Sequence, residues 1–198
     1  VFNRSVLEKV VAFCKRHDLV LCSDEIHCDL ILDDVGHIST LTLGEELHPF
    51  TFAMLSASKT YNVPGLACAY CIIPDAKLRM KYQRAARGIV TEVNCFGHTG
   101  TIAAYRDGEA WHGQLLDALR RNRDLLYDFI EDELAPLKIL PMEATYLAWI
   151  DARELGVPDP IKFFEEHGVG LSSGADFGWP GYVRINFGCP TELLQQGL

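Results

Sequence analysis

Residues 19–30, LVLCSDEIHCDL, decide how the chain is read. Leu19 to Cys22 form an apolar run with no polar break, which gives way at once to Ser23, Asp24, Glu25 and His27. Such a run fits a strand buried on both faces, and the acidic turn behind it fits the carboxyl end of that strand in an α/β sheet. Upstream, RSVLEKVVAFCKRH (4–17) places Val6, Leu7, Val10, Val11 and Cys14 at helical spacing, which predicts a helix feeding the strand. Downstream, 29–50 is loop-rich, and TFAMLS (51–56) is a second strand ending in another polar cluster, ASKTYNVPG (57–65).

Farther along, LACAYCII (66–73) reads as a third, buried strand stopped by Pro74, and helical patterns occupy 75–87 and 98–107. The strongest helix covers 109–134, where Leu115, Leu116, Leu119, Leu126, Phe129 and Ile130 recur at helical intervals. TYLAWID (145–151) and YVRINF (182–187) are strands, with a short helix over 159–167 between them. These elements divide the chain into sheet-plus-helix material, 1–108, and a smaller α+β lobe, 109–198.

Of the 198 residues, 48% are hydrophobic and 23% charged, a balance that supports a packed core. The net charge of −9 argues against a nucleic-acid protein. The two basic clusters, RAAR (84–87) and RRNR (120–123), lie in helical stretches and read as solvated faces. No apolar run approaches the roughly 18–20 residues that cross a bilayer. The start, VFNRSVLEKVV, lacks the layout of a signal peptide and an initiator Met, so the chain is expected to be processed or a fragment. Seven cysteines, an odd number spread through apolar segments, suggest a reducing compartment and a cytoplasmic location. Cys68 and Cys71 make a C-x-x-C, but on a strand residues three apart point to opposite faces, which argues against a metal or redox pair.

Candidate chemistry gathers where polar clusters follow strands, because ligands of open α/β sheets bind outside the carboxyl ends of the strands. Lys59, flanked by Ser56, Ser58 and Thr60, reads alone either as surface charge or as an amine held for attack on a carbonyl. Asp24 reads either as a cap on the turn after the strand or as a carboxylate that keeps a heterocyclic nitrogen protonated. A strand-end Asp followed by a strand-end Lys is rarer than either residue alone.

SDEIHCDL (23–30), SASKTYNVPGL (56–66), ATYLAWID (144–151) and VRINFGCP (183–190) together resemble fold-type I pyridoxal-phosphate enzymes. More narrowly they resemble the MalY/PatB-like C–S β-lyases, the cystathionine β-lyase group of the class I/II aminotransferase superfamily. The resemblance runs over essentially the whole chain, in order. It implies the C-terminal part of the fold-type I large domain, a mixed and mainly parallel sheet with helices, over 1–108. It also implies a long connecting helix and a small α+β C-terminal domain over 109–198. The implied cofactor is pyridoxal 5'-phosphate, with Lys59 as the Schiff-base lysine and Asp24 pairing with the ring nitrogen. Ser56 and Ser58 match hydroxyls on the phosphate. His27 stands where ordinary aminotransferases carry a tyrosine beside the phenolic oxygen, and Arg184 matches the arginine that grips the substrate carboxylate. The implied reaction is α,β-elimination from cysteine S-conjugates such as cystathionine, giving thiol, pyruvate and ammonia, in a homodimer with sites between subunits.

Two departures matter. Many aminotransferases carry an arginine about eight residues after the lysine, where this chain has Ala67; this favours the lyase group over an aminotransferase. The family is also roughly twice as long. The N-P-x-G segment, the aromatic that stacks on the ring and the phosphate-binding turn are absent from these 198 residues. A non-catalytic module is therefore a competing reading, since members of this group also act as regulatory partners of transcription factors; no partner surface is legible.

Overall fold

Asn3 starts the first helix: its side chain accepts a hydrogen bond from the Val6 amide at 3.0 Å and opens α1 (Arg4–Arg16). The computed structural model describes residues 1–198 and divides into two compact units, Val1–His112 and Gly113–Leu198. Leu7, Val11 and Cys14 are the buried stripe of α1, while Val10 stays exposed. The helix ends in a Schellman turn: Asp18 is left-handed at φ 51°, Asp18 N donates to Lys15 O and Leu19 N to Cys14 O. That turn consumes Leu19 and Val20, which are exposed, so β1 (Leu21–Asp24) begins two residues later than the apolar run suggests.

In the first unit's sheet, ordered β1-β2-β3, β1 runs parallel to β2 (Thr51–Leu55) and β2 antiparallel to β3 (Tyr70–Ile72). The sheet is therefore mixed, with one parallel and one antiparallel pairing. The third strand is not buried. A 3-10 turn at Pro64–Leu66 and the left-handed Ala67 take up the start of the apolar run. What remains is an edge strand with Tyr70 and Ile72 exposed.

Three helices complete this unit: α2 (Ala57–Thr60), α3 (Ala76–Ala86), capped by Asp75, and α4 (Cys95–Asp107), capped by Asn94. A Cβ at Gly97 would stand 2.7 Å from the Leu66 carbonyl oxygen. Only glycine lets α4 approach the turn after α2 so closely.

Helix α5 (Glu109–Glu133), of which residues from Gly113 on belong to the second unit, buries Leu119, Asn122, Leu126 and Ile130. The second unit's sheet is antiparallel throughout, ordered β4-β5-β7-β6, from β4 (Lys138–Ile139), β5 (Leu147–Asp151), β6 (Ser172–Ser173) and β7 (Tyr182–Asn186). Helices α6 (Pro160–Glu166) and α7 (Thr191–Gly197) flank it.

The RRNR cluster is not wholly a solvated face, because Asn122 is 1% exposed. Its amide donates to Phe187 O at 2.9 Å and Cys189 O at 2.8 Å, and its Oδ1 accepts from Thr191 Oγ1 at 2.7 Å. Both its N–H donors and its carbonyl oxygen are engaged, as a buried amide requires. Arg123 is also mostly covered, reaching Met142 O at 3.2 Å while pairing with Asp124.

Candidate functional site

Because β1 and β2 are parallel neighbours, their carboxyl ends lie on the same edge of the sheet, with Asp24 opposite Met54. The Asp24 carboxylate is exposed. Its Oδ1 accepts one weak bond from Ile26 N at 3.3 Å, and it has no cation partner. His27 is half-buried in the turn that follows.

At the end of β2 the chain turns into α2 through Ser56, an extended residue at φ −163° whose Oγ accepts from Ser58 N at 3.0 Å. The same hydroxyl donates to Cys68 O at 2.7 Å and lies 2.7 Å from Ser58 Oγ. Ser56 is thus buried and largely occupied with shaping the turn, whereas Ser58 is half-buried and more open. Lys59 stands on α2, half-buried, and its amine makes no ion pair or hydrogen bond.

The far end of α2 is held against the turn after β1. Thr60, fully buried, brings its hydroxyl 3.5 Å from Asp29 Oδ2, and His112 Nε2 donates to Asp29 O at 2.7 Å. Tyr61 stacks on Trp111 with centroids 5.9 Å apart. Burial, helped by the charge of Asp29, pushes the Cys28 thiol up to about 12. It is therefore a protonated packing group at neutral pH and not a nucleophile.

One residue that the sequence reading passed over organises this region. Glu25 is 5% exposed and accepts hydrogen bonds from Ser23, Ser39, Thr40 and His37. Burial alone would push its carboxyl up, but the bonds from His37, Thr40, Ser23 and Ser39 outweigh that and hold it below the usual carboxylate range. The faint signal for it is H-I-S-T (37–40), a run of donors inside an otherwise featureless loop.

In the second unit, Arg184 occupies the middle of β7, opposite Trp149 of β5 and Ser172 of β6. Its Nη2 donates to Ser172 Oγ at 3.5 Å, and its guanidinium carbon lies 4.6 Å from the centroid of the Phe177 ring. No carboxylate pairs with it. Arg153 contrasts with it: exposed, it binds Asp151 through two nitrogens at 2.9 and 2.7 Å and holds that carboxyl well below the usual range. Asp24, His27, Ser56, Ser58 and Lys59 thus all lie in the first unit, at or after the carboxyl ends of β1 and β2, and Arg184 lies in the second.

Comparison with known proteins places the whole chain, residues 1–198, within the family model for aminotransferase class I and II. The cystathionine β-lyase PatB of Bacillus subtilis (strain 168) is 30% identical over 203 residues, covering 100% of this chain and 52% of PatB. The crystal structure of OvoB superposes with a TM-score of 0.95 at 43% identity, covering 99% of this chain and 52% of OvoB. Cystalysin from Treponema denticola, whose crystal structure contains a pyridoxal 5'-phosphate cofactor, superposes with a TM-score of 0.93 at 27% identity, over 100% of this chain and 52% of cystalysin. The chain spans about half the length of the curated relatives it matches.

Proposed function

The chain belongs to the class I and II aminotransferase family, and from that premise we propose that it carries half of a pyridoxal-phosphate enzyme acting as a C–S β-lyase. The observation that carries the reading is a pair of oppositely charged groups at the carboxyl ends of adjacent parallel strands. Asp24 and Lys59 stand there, neither with an ionic partner. A half-buried amine with no ionic partner is costly to hold for stability alone, and the exposed Asp24 carboxylate is open to a ligand.

The donor set fits the cofactor: an amine for its carbonyl, a carboxylate for its ring nitrogen, and hydroxyls for its phosphate. When bound, the cofactor supplies an electron sink for the pair released at the substrate α-carbon. Lys59 Nζ anchors it and, once released, takes the α-proton as general base. Asp24 keeps a proton on the ring nitrogen by charge pairing. Ser58, the freer hydroxyl, and Ser56 face the phosphate, and His27 hydrogen-bonds the phenolic oxygen. Arg184, placed over the Phe177 ring and lacking an acid of its own, receives the α-carboxylate through two parallel bonds. In this reading the protein acts as a cytoplasmic homodimer.

The substrate is an amino acid with sulfur on Cβ. The Cα–H and Cβ–S bonds break, sulfur leaves as a thiol, and water completes release of pyruvate and ammonia. Ala67 supplies no cation for the phosphate, a departure from aminotransferases that favours elimination.

The test uses the longest natural protein containing this chain, treated with the cofactor and borohydride and mapped by peptide mass. Labelling at Lys59, with pyruvate formed from cystathionine without a keto-acid acceptor, is the expected result. Pyruvate or amino transfer only with an acceptor present makes the protein an aminotransferase instead. A label on another lysine, surviving Lys59→Ala, removes the assignment altogether.

A further inference from the structure

Directly after the Asp24 that the proposed function uses comes a side chain with no role in that chemistry and a dense set of hydrogen bonds of its own. Glu25 directs Oε1 toward Ser23 Oγ at 2.9 Å, Thr40 N at 3.0 Å, Ser39 Oγ at 3.1 Å and Thr40 Oγ1 at 3.2 Å. Its Oε2 meets His37 Nε2 at 3.1 Å. Its backbone is as fully engaged: Glu25 N donates to Met54 O at 2.9 Å, and Glu25 O accepts from Cys28 N at 3.0 Å. One residue therefore ties together the end of β1, the end of β2, the turn that follows and a loop up to fifteen positions away.

A carboxylate out of water costs several kcal/mol unless donors saturate it. Here the side chain is almost wholly buried and donors surround it. Its neighbours are placed very differently. Asp24 is exposed and held by one bond of 3.3 Å, and His27 is half-buried two residues on. Successive side chains of an extended chain point to opposite sides, so whatever fixes Glu25 on the inner side fixes where Asp24 projects.

We propose that Glu25 is the positioning residue of the cofactor site, gathering the Ser23–Thr40 segment onto one buried carboxylate so that Asp24 and His27 are held in place for the cofactor ring. This rests on the assignment of Asp24 made above. The role differs from a plain stabilising tether in what it moves: it acts on the geometry at the ring nitrogen and not only on the melting temperature.

The test measures cofactor affinity by fluorescence titration and the pH midpoint of the bound cofactor's absorption band, beside thermal unfolding. In Glu25→Ala the affinity falls about tenfold or more, as expected when a buried charge-assisted network is lost, and the band midpoint moves. Glu25→Gln restores most of both, because its carbonyl oxygen still accepts the four bonds and its amide can meet the other tautomer of His37. A lower melting temperature with affinity and midpoint unchanged overturns the proposal. Should Glu25→Ala fail to fold, the double variant Ser39→Ala, Thr40→Val decides by the same two readouts, since it strips donors from Oε1 and leaves the carboxylate in place. Asp24→Asn is run in parallel. If Asp24→Asn leaves the band midpoint where it was, the cofactor reading itself fails. An effect in Asp24→Asn with none in the Glu25 variants removes only the positioning role.

Discussion

In the first unit Asp24 is the last residue of β1 and Lys59 lies past the end of β2, while in the second Arg184 lies mid-strand with a neighbour hydrogen-bonded on each side. The two settings hold a side chain by different means. A residue inside a ladder inherits its direction from the pleat and its register from both partners. Asp24 has the ladder on one side only and Lys59 has none, so their placement leans on tethers: the Ser56 cap, the Thr60 contact with Asp29, and the Glu25 network. The first unit should thus be sensitive at residues that touch no substrate, and the second mainly at Arg184 itself.

The largest expected effect comes from the strand-end charge. Asp24→Ala should lower turnover by roughly a hundredfold or more, the scale for removing a preorganised charge beside a reacting centre, while borohydride still fixes the cofactor to Lys59. Near-normal turnover would break the comparison by making the first unit's edge structural. Arg184→Lys should raise KM for carboxylate substrates by roughly tenfold and leave kcat nearly intact, because a lysine keeps the charge but loses the fork. Unchanged KM would place substrate recognition elsewhere.

Stability against acid gives a third test. The Glu25 carboxyl is depressed below its ordinary value of 4.5 in the folded chain. Its contribution is therefore complete above that value and drains away as pH falls through the folded pKa. Melting temperature should drop on acidification below pH 4.5, and Glu25→Gln should flatten that part of the profile; parallel curves for both proteins would contradict it. The smallest effect is expected for Phe177→Leu. The ring is half-exposed beside Arg184, and losing an exposed cation–π contact of about 0.5–1 kcal/mol should raise KM by only about two- to fivefold. A change as large as that of Arg184→Lys would mean that Phe177 touches the substrate.

Strand-end clusters are the part of this molecule most legible in sequence, since an apolar run that stops at a polar group records both the strand and its exposed edge. SDEIH and SASK carry that signature. Helix α5 was legible for the same reason, its apolar period being long and regular, although Asn122 on its buried face was not, because an amide among arginines looks solvated until Phe187, Cys189 and Thr191 fold against it. Strands β4 and β6, two residues each, are too short to show any period. Leu19 and Val20 misled because a capping turn can end in apolar residues as readily as a strand can begin with them. Glu25 escaped notice because its partners lie twelve to fifteen residues away, in a loop with no pattern of its own.

The register that sets Asp24 opposite Met54, with Ser56 two and Lys59 five residues farther along, bears on which changes of chain length the molecule tolerates. A residue added to the loop around 33–36, ahead of the His37 anchor, lengthens an exposed path and costs little. A residue added between Leu55 and Lys59 turns the lysine by roughly 100° around its helix, and one lost from β2 flips every side chain that follows it in the strand. Insertions and deletions across 21–60 should therefore be accepted in the loop and rejected at the β2–α2 junction, so that an indel scan read by cofactor retention would trace the two strand ends without any point mutation.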